Sequence, residues 1–281
     1  MRSLLAALVL TLASALAVAD PDSSVPYAIG AGQFMAISFH DVRDDVIPER
    51  DPDPYAISTE RLAAWFDWMR TNNWQPVALQ QIIDAANGGP TLPPNAVLLT
   101  FDDGLANIHS HVFPLLQAYD YPALVALQTG WLETVWSGES AGYSGEDFTD
   151  RPATVRYNDR SLGANAFVDR AALSEIQASG LVEFASHSHD LHRGILANPQ
   201  GNLQPAAITR RFDAETGDYE GDDAFRARIR ADLERSREAI KAMVDRPPRA
   251  MVWPYGANTR GGSDRRGSGH AMDLFPRRAS A

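Results

Sequence analysis

The sequence contains no cysteine. A chain without thiols has no disulfides, no thiolate ligands for a metal and no cysteine nucleophile. Positive charge is also scarce, since 25 Lys and Arg stand against 36 Asp and Glu, for a formal net charge of -11. Because nucleic-acid binding needs clustered Lys and Arg, we do not expect a nucleic-acid partner. A neutral or cationic polysaccharide is compatible with this charge.

Long apolar runs are absent after the N-terminus. Residues 4–16 form the first apolar run, preceded by Arg2 and followed by Ala17-Val18-Ala19. A basic start, a short apolar stretch and a small-x-small cleavage site predict a signal peptide over residues 1–19. No later stretch is long and apolar enough for a membrane span. We therefore expect an exported protein, periplasmic or extracellular, that is soluble after cleavage.

The remaining chain predicts an α/β fold. Of the 281 residues, 44% are hydrophobic, which is enough for a sizeable core. Short apolar strand patterns alternate with helical spacing of apolar residues, which favours a parallel sheet. We expect one folded domain over residues 20–256, with a long loop over residues 133–163. Residues 257–281 are rich in Arg, Gly and Ser, lack periodicity and are predicted to be disordered.

Two adjacent carboxylates follow the most apolar run of the chain. Residues 96–101 read as a strand buried on both faces, and Asp102-Asp103-Gly104 follow directly. Burying two neighbouring negative charges is costly unless something positive lies beside them. Successive side chains of an extended segment point opposite ways, so one carboxylate can bind a metal while the other faces a water. The alternative is an ordinary Asp-Asp-Gly turn.

Histidines follow two other predicted strands. Three of the seven histidines, His187, His189 and His192, fall within six residues after the apolar run 181–185. Closely spaced histidines and a carboxylate from another strand end are typical of an open catalytic metal site. The alternative is three unrelated surface histidines. His40 follows the predicted strand 34–39, and its spacing alone favours a histidine satisfied by the nearby acids over a catalytic one. His109 and His111 are interpreted as structural or surface residues.

A further pattern, Gly138-Glu139-Ser140-Ala141-Gly142, matches the G-x-S-x-G motif of serine hydrolases. That motif is meaningful when a strand precedes it and a helix follows, and neither is evident here. A serine esterase using Ser140 is therefore a less favoured alternative. A two-His, one-carboxylate set also suits a non-haem iron oxygenase.

Taken in order, the motifs resemble those of the polysaccharide deacetylases (the NodB-homology group, carbohydrate esterase family 4). The motifs are Thr100-Phe101-Asp102-Asp103-Gly104, Ser186-His187 with His192, and Trp253-Pro254-Tyr255-Gly256. With Ser38-Phe39-His40-Asp41-Val42, the sequence is similar to the branch that deacetylates poly-β-1,6-N-acetyl-D-glucosamine in biofilm export. The resemblance covers residues 34–256 and is specific in the combination of its motifs.

The resemblance implies a distorted, circularly permuted (β/α)7-type barrel and hydrolysis of N-acetyl groups on an exported poly-N-acetylglucosamine. It implies one divalent metal, with zinc, iron, nickel and cobalt all suited to the donor set. It also implies export-machinery proteins as further partners. The implied roles are metal ligation by Asp103, His187 and His192, general base Asp102, general acid His40 and an oxyanion-binding backbone N–H at Tyr255.

Two features depart from the family pattern. Many members carry an Arg two residues before the Pro of the third motif, and here that position is Val252. The family also continues past the third motif with a helix and further strands, which residues 257–281 do not resemble. We therefore expect a barrel that is incomplete at its C-terminus and a chain that is unstable or weakly active. A non-catalytic, carbohydrate-binding relative is the alternative.

Overall fold

The computed structural model of the protein describes residues 28–47, 50–137, 154–157, 160–256 and 272–274. The predicted signal peptide and the Ser140 motif lie outside the described residues, as does most of the predicted tail. Among the residues that the structure describes, no helix combines the length and the apolarity needed to cross a membrane.

The elements alternate as the sequence predicts. The strands are β1 (Phe34–Phe39), β2 (Gln75–Pro76), β3 (Ala96–Phe101), β4 (Ala123–Leu127), β5 (Thr154–Tyr157), β6 (Arg160–Gly163), β7 (Val182–Ser186), β8 (Gly194–Leu196), β9 (Leu203–Pro205), β10 (Ala250–Val252) and β11 (Met272–Leu274). The helices are α1 (Thr59–Thr71), α2 (Leu79–Ala86), α3 (Phe113–Tyr119), α4 (Thr129–Ser137), α5 (Arg170–Ala178) and α6 (Asp222–Val244). A π-helical segment, Ile108–Val112, precedes α3, and Pro254–Gly256 form a short 3-10 turn.

Seven strands form one curled, largely parallel sheet in the order β1-β3-β4-β7-β10-β11, with β2 also paired to β3. The pairs β1–β3, β3–β4, β4–β7 and β7–β10 are all parallel, whereas β11 runs antiparallel to β10. The pairs β5–β6 and β8–β9 are separate antiparallel hairpins. This arrangement confirms the predicted α/β fold with a parallel sheet.

The central strand is buried on both faces. All six residues of β3 are buried, which is why the run is apolar throughout rather than alternating. Val97 and Leu99 point into the larger core, which contains the buried faces of α1, α3 and α5. Leu98 points into the smaller core under α2. Helices therefore cover both faces of β3, and the polar residues that follow it lie at its carboxyl end.

Two helices begin at a side-chain cap. Ser58 Oγ accepts a hydrogen bond from the Arg61 backbone N–H, and Asp169 Oδ1 accepts one from Ala172 N–H at 2.8 Å. Each bond satisfies an N–H that has no partner within the helix itself. These caps define the starts of α1 and α5.

One expectation is wrong in detail. Residues 133–163 are not one loop, because α4 extends to Ser137 and β5 pairs with β6 within this range. The buried face of α6 includes the polar residues Asp232 and Ser236 beside its apolar ones. Three residues of the predicted tail, 272–274, form β11.

Candidate metal centre

Polar segments leave the carboxyl ends of neighbouring parallel strands and meet at one edge of the sheet. His40 follows β1, Asp102 and Asp103 follow β3, and His187 follows β7. Tyr255 lies just beyond β10, which is the strand next to β7 in the sheet. This edge is where parallel α/β sheets carry their ligand sites, so residues far apart in sequence come together.

Asp103, His187 and His192 each offer one ligand atom, and these atoms lie within 4.8 Å of one another. Asp103 Oδ1 is 3.4 Å from the Nε2 atom of each histidine. Asp103 and His187 are fully enclosed, with 1% of each residue exposed. The structure thus brings together the three residues that the resemblance implied as ligands.

The tautomer of His187 follows from its partner. His187 Nδ1 lies 2.8 Å from the carbonyl oxygen of Val252, and because a carbonyl only accepts, Nδ1 carries the proton. The Nε2 lone pair therefore faces Asp103 Oδ1, and neither atom hydrogen-bonds to any described residue. A lone pair facing a carboxylate oxygen is repulsive unless a cation lies between them.

The spacing fits such a cation. Two ligand atoms that each lie about 2.1 Å from one ion at a tetrahedral angle are about 3.4 Å apart. Two buried polar atoms without hydrogen bonds, at this spacing, are what a metal would satisfy. The three side chains could therefore hold one metal ion through Oδ1 and two Nε2 atoms.

The pKa shifts of the three side chains keep them in the protonation states that bind a metal. Burial lowers the pKa of His187, and it lowers the pKa of His192 to about 4, so both imidazoles are neutral near pH 7. Burial alone would raise the pKa of Asp103, but the neighbouring histidines and a tyrosine hydroxyl outweigh it, and the pKa is lowered. Neutral imidazoles and an ionised carboxylate are the ligand forms that divalent metals bind.

The backbone is strained at this edge. Asp103 has φ 78° and Tyr255 has φ 58°, both in the left-handed region that non-glycine residues avoid. Such conformations cost about 1–3 kcal/mol each and cluster at functional sites. Gly104 has φ 79°, and a Cβ there would meet Leu127 Cδ2 at 3.2 Å, so the turn requires glycine.

A second carboxylate lies beside the first. Asp102 is buried, and its Oδ2 accepts a 2.5 Å hydrogen bond from Ser38 Oγ on β1. His40 Nε2 lies 3.9 Å from the same oxygen. The adjacent carboxylates thus occupy different environments, one facing the histidine pair and the other facing His40. The turn at Asp103, and not the alternation of an extended strand, separates them.

Tyr255 and His189 behave differently from the ligand group. The Tyr255 side chain is 55% exposed, and its ring lies 4.6 Å from the His192 ring. His189 instead turns away, with Nδ1 3.0 Å from Thr129 Oγ1 at the start of α4. His109 pairs with the surface residue Glu175 at 2.9 Å, and His111 lies 3.8 Å from Asp44, which agrees with their interpretation as structural or surface residues.

Two supporting residues were not predicted from the sequence. The Tyr157 hydroxyl on β5 donates to Asp103 Oδ2 at 3.1 Å. Asp232 on α6 accepts the backbone N–H groups of His189 and Asp190 at 3.0 and 2.6 Å. Tyr157 lies within residues 133–163, which the sequence predicts as a loop, and Asp232 lies on α6. A polar residue on the core face of α6 was the available signal for Asp232.

The comparisons with known proteins agree with this geometry. A family model described as "Polysaccharide deacetylase" matches residues 89–263. The Poly-beta-1,6-N-acetyl-D-glucosamine N-deacetylase of Escherichia coli (strain K12) is 35% identical over 223 residues, which cover 79% of this chain and 30% of that protein. The chain therefore spans about 30% of the length of the E. coli relatives it matches.

Two solved structures share the fold. A de-N-acetylase from Aggregatibacter actinomycetemcomitans superimposes with a TM-score of 0.69 at 36% identity, covering 80% of each chain. The BpsB deacetylase domain from Bordetella bronchiseptica superimposes with a TM-score of 0.65 at 43% identity, covering 81% of each chain. These matches confirm the deacetylase-type α/β fold predicted from the motifs.

Proposed function

The chain belongs to the polysaccharide deacetylase family, and we propose that it removes N-acetyl groups from a poly-N-acetylglucosamine in a metal-dependent hydrolysis. The observation that carries this proposal is the convergence of Asp103, His187 and His192, with buried ligand atoms facing one another. The relatives named as poly-β-1,6-N-acetyl-D-glucosamine N-deacetylases support the choice of polymer.

The three side chains would hold one divalent metal ion, and zinc, iron, nickel and cobalt all suit this donor set. Two histidines and one carboxylate leave positions open for water and substrate. When bound, such an ion lowers the pKa of water and polarises the acetamide carbonyl. The protein supplies neutral imidazoles and a rigid, buried carboxylate.

Asp102 and His40 would divide the proton transfers. Asp102, held by Ser38, would take the proton from the attacking water as general base. His40, 3.9 Å from Asp102, would protonate the departing amine as general acid. The Tyr255 backbone N–H would stabilise the oxyanion, a role supported by the resemblance of Trp253-Pro254-Tyr255-Gly256 to the family motif. The products are acetate and a sugar unit with a free amine.

A cavity of about 610 Å³ adjoins the candidate metal centre and would accept the polymer. His192 and Tyr255 are among the residues that line it. Its remaining lining mixes apolar with hydrogen-bonding side chains, including Trp131, Val155, Leu203, Arg156, Asp190 and Arg193. Such a mixture suits a sugar chain, which presents both C–H faces and hydroxyl groups.

Acetate release from β-1,6-linked N-acetylglucosamine oligomers, with and without a chelator, tests the proposal. We expect chelator-sensitive release that Asp103→Ala reduces by more than about 100-fold, because the metal contributes several kcal/mol to catalysis. His109→Ala, on the surface, should retain wild-type release. Thermal melts verify that both variants fold.

Three results would contradict the proposal. Binding of the oligomers by a metal-loaded chain without acetate release would indicate a non-catalytic carbohydrate-binding relative. Chelator-resistant release that Ser140→Ala abolishes would indicate a serine esterase. A reaction that requires O₂ would indicate an iron oxygenase.

We further propose that residues 1–19 direct export, that the mature protein acts in the periplasm or outside the cell, and that export-machinery proteins are partners. The basic, apolar and small-residue pattern of the N-terminus supports export. N-terminal sequencing of the exported protein should begin at Asp20. A mature protein that retains Met1 would contradict this cleavage.

A further inference from the structure

We propose that Tyr157 is a positioning residue that makes Asp103 a one-oxygen ligand. Its hydroxyl holds Oδ2, so that only Oδ1 faces the histidine pair. This inference rests on the proposed metal site and goes beyond it, because it assigns the two carboxylate oxygens different tasks and gives the β5–β6 hairpin a role in the reaction.

The two oxygens of Asp103 have distinct surroundings. Oδ2 accepts the Tyr157 hydroxyl at 3.1 Å, in a hydrogen bond buried between the two side chains. Oδ1 lies 3.4 Å from the Nε2 atoms of both His187 and His192. A tyrosine hydroxyl is protonated near pH 7 and is an effective donor to a carboxylate. Rotation of the carboxylate toward the histidines would break this bond inside the protein.

Strand pairing in the hairpin and packing against α4 fix the position of the Tyr157 ring. Tyr157 pairs with Arg160 across β5 and β6, and only 4% of Tyr157 is exposed. The Trp131 ring packs against it edge-on with a centroid distance of 5.8 Å. The Tyr157 hydroxyl thus approaches Asp103 from a ring whose position is set by packing.

Arg160 ties the same hairpin to the opposite side of the site. Its guanidinium lies 5.8 Å from the centre of the Tyr157 ring. Its NH2 group is 3.3 Å from Asp53 and 3.5 Å from Asp41, two buried carboxylates in the segment after β1. Since His40 precedes Asp41, the hairpin connects the metal-ligand side of the site to the side that carries His40.

The number of Asp103 oxygens that bind the metal decides how many coordination positions stay open. A carboxylate can bind a metal through one oxygen or through both. Binding through both oxygens would take a position that water or the acetamide oxygen needs. Hydrogen-bond partners of metal ligands orient those ligands, and losing one typically weakens metal affinity or activity by about 10–100-fold. Tyr157 would keep that position available.

Tyr157→Phe tests this role because it removes the hydroxyl and keeps the ring. The probe is Co²⁺ added to the metal-free full chain, and the readouts are the visible absorption spectrum and the dissociation constant. Tyr121→Phe is the matched control, since its hydroxyl donates to the Phe66 carbonyl, away from the site. Melting of the metal-free variants confirms folding.

We expect the Tyr157→Phe spectrum to weaken, as for a higher coordination number, and Co²⁺ affinity to fall by about 10–100-fold. The control should match the wild type. A Tyr157→Phe spectrum identical to that of the wild type overturns the inference, even if acetate release falls. A crystal structure of the Zn²⁺-loaded wild type provides a test without variants, and ligation through both Asp103 oxygens there also overturns it.

These outcomes separate the two proposals. Co²⁺ binding with the expected spectral difference, but without acetate release, overturns the proposed function and leaves the role of Tyr157 supported. A wild-type chain that binds no Co²⁺ overturns both.

Discussion

Replacing Asp232 should destabilise the loop that carries the histidines. Asp232 is buried on α6, and its two carboxylate oxygens accept the backbone N–H groups of His189 and Asp190 at 3.0 and 2.6 Å. Asp232→Ala removes the acceptor of both N–H groups, one on the half-buried His189 and the other on the exposed Asp190. A hydrogen bond to a charged group contributes about 1.5–3 kcal/mol, and water can replace part of it at these positions, so we expect a loss of about 2–4 kcal/mol in the free energy of unfolding.

Urea unfolding of the metal-free chain at pH 7 measures this loss. Glu234→Ala is the matched control, because Glu234 is exposed on the same helix, and it should change the free energy by less than about 0.5 kcal/mol. Because the loop lies between His187 and His192, the Asp232→Ala variant should also bind Co²⁺ more weakly. A destabilisation below about 1 kcal/mol would refute the reasoning, since it would mean that the two N–H groups find other acceptors at little cost.

Two further predictions concern pH and catalysis. Burial lowers the pKa of His192 to about 4 from its ordinary value near 6.5. Between these two pH values, His192 binds a proton in the unfolded chain but not in the folded chain. The free energy of unfolding of the metal-free protein should therefore fall by about 2 kcal/mol between pH 7 and pH 5 on account of His192, in addition to a fall of the same sign from His187, and His192→Gln should remove the His192 share of this slope. An equal slope in wild type and variant would contradict the assignment. Ser38→Ala removes the hydrogen bond to Asp102 Oδ2 and should lower kcat by about tenfold, as for a bond of about 1.5 kcal/mol to a charged group, with Co²⁺ affinity unchanged. An unchanged kcat, with the exposed Ser110→Ala as control, would show that Ser38 does not position the base.

Local sequence was sufficient where a residue's neighbours along the chain decide its environment. The apolar run before Asp102 identified β3, because a strand covered on both faces must be apolar throughout. Ser58 and Asp169 are residue types that favour the starts of helices such as α1 and α5, and this signal is local because a cap bonds to an N–H three residues away. The resemblance of the motifs implied the three candidate ligands, and their meeting at one edge agrees with the convergence of strand ends in a parallel sheet.

Local sequence failed where burial is set by distant residues. Residues 133–163 read as a loop because β5 is only four residues long and lies among polar residues. The burial of Tyr157 depends on Trp131 and Asp103, which come from other elements. The spacing of residues within the hairpin does not indicate these contacts.

The sequence by itself therefore determined the fold class and nominated Asp103, His187 and His192, since strand patterns and motif order are properties of the chain. Only the tertiary structure decided which carboxylate oxygen faces the histidines and that His189 turns away. It also showed that Tyr157 donates a hydrogen bond to Asp103 and that Asp232 accepts one from the backbone N–H of His189. The physical reason is that hydrogen bonds between distant segments depend on packing and distance, which sequence spacing does not encode.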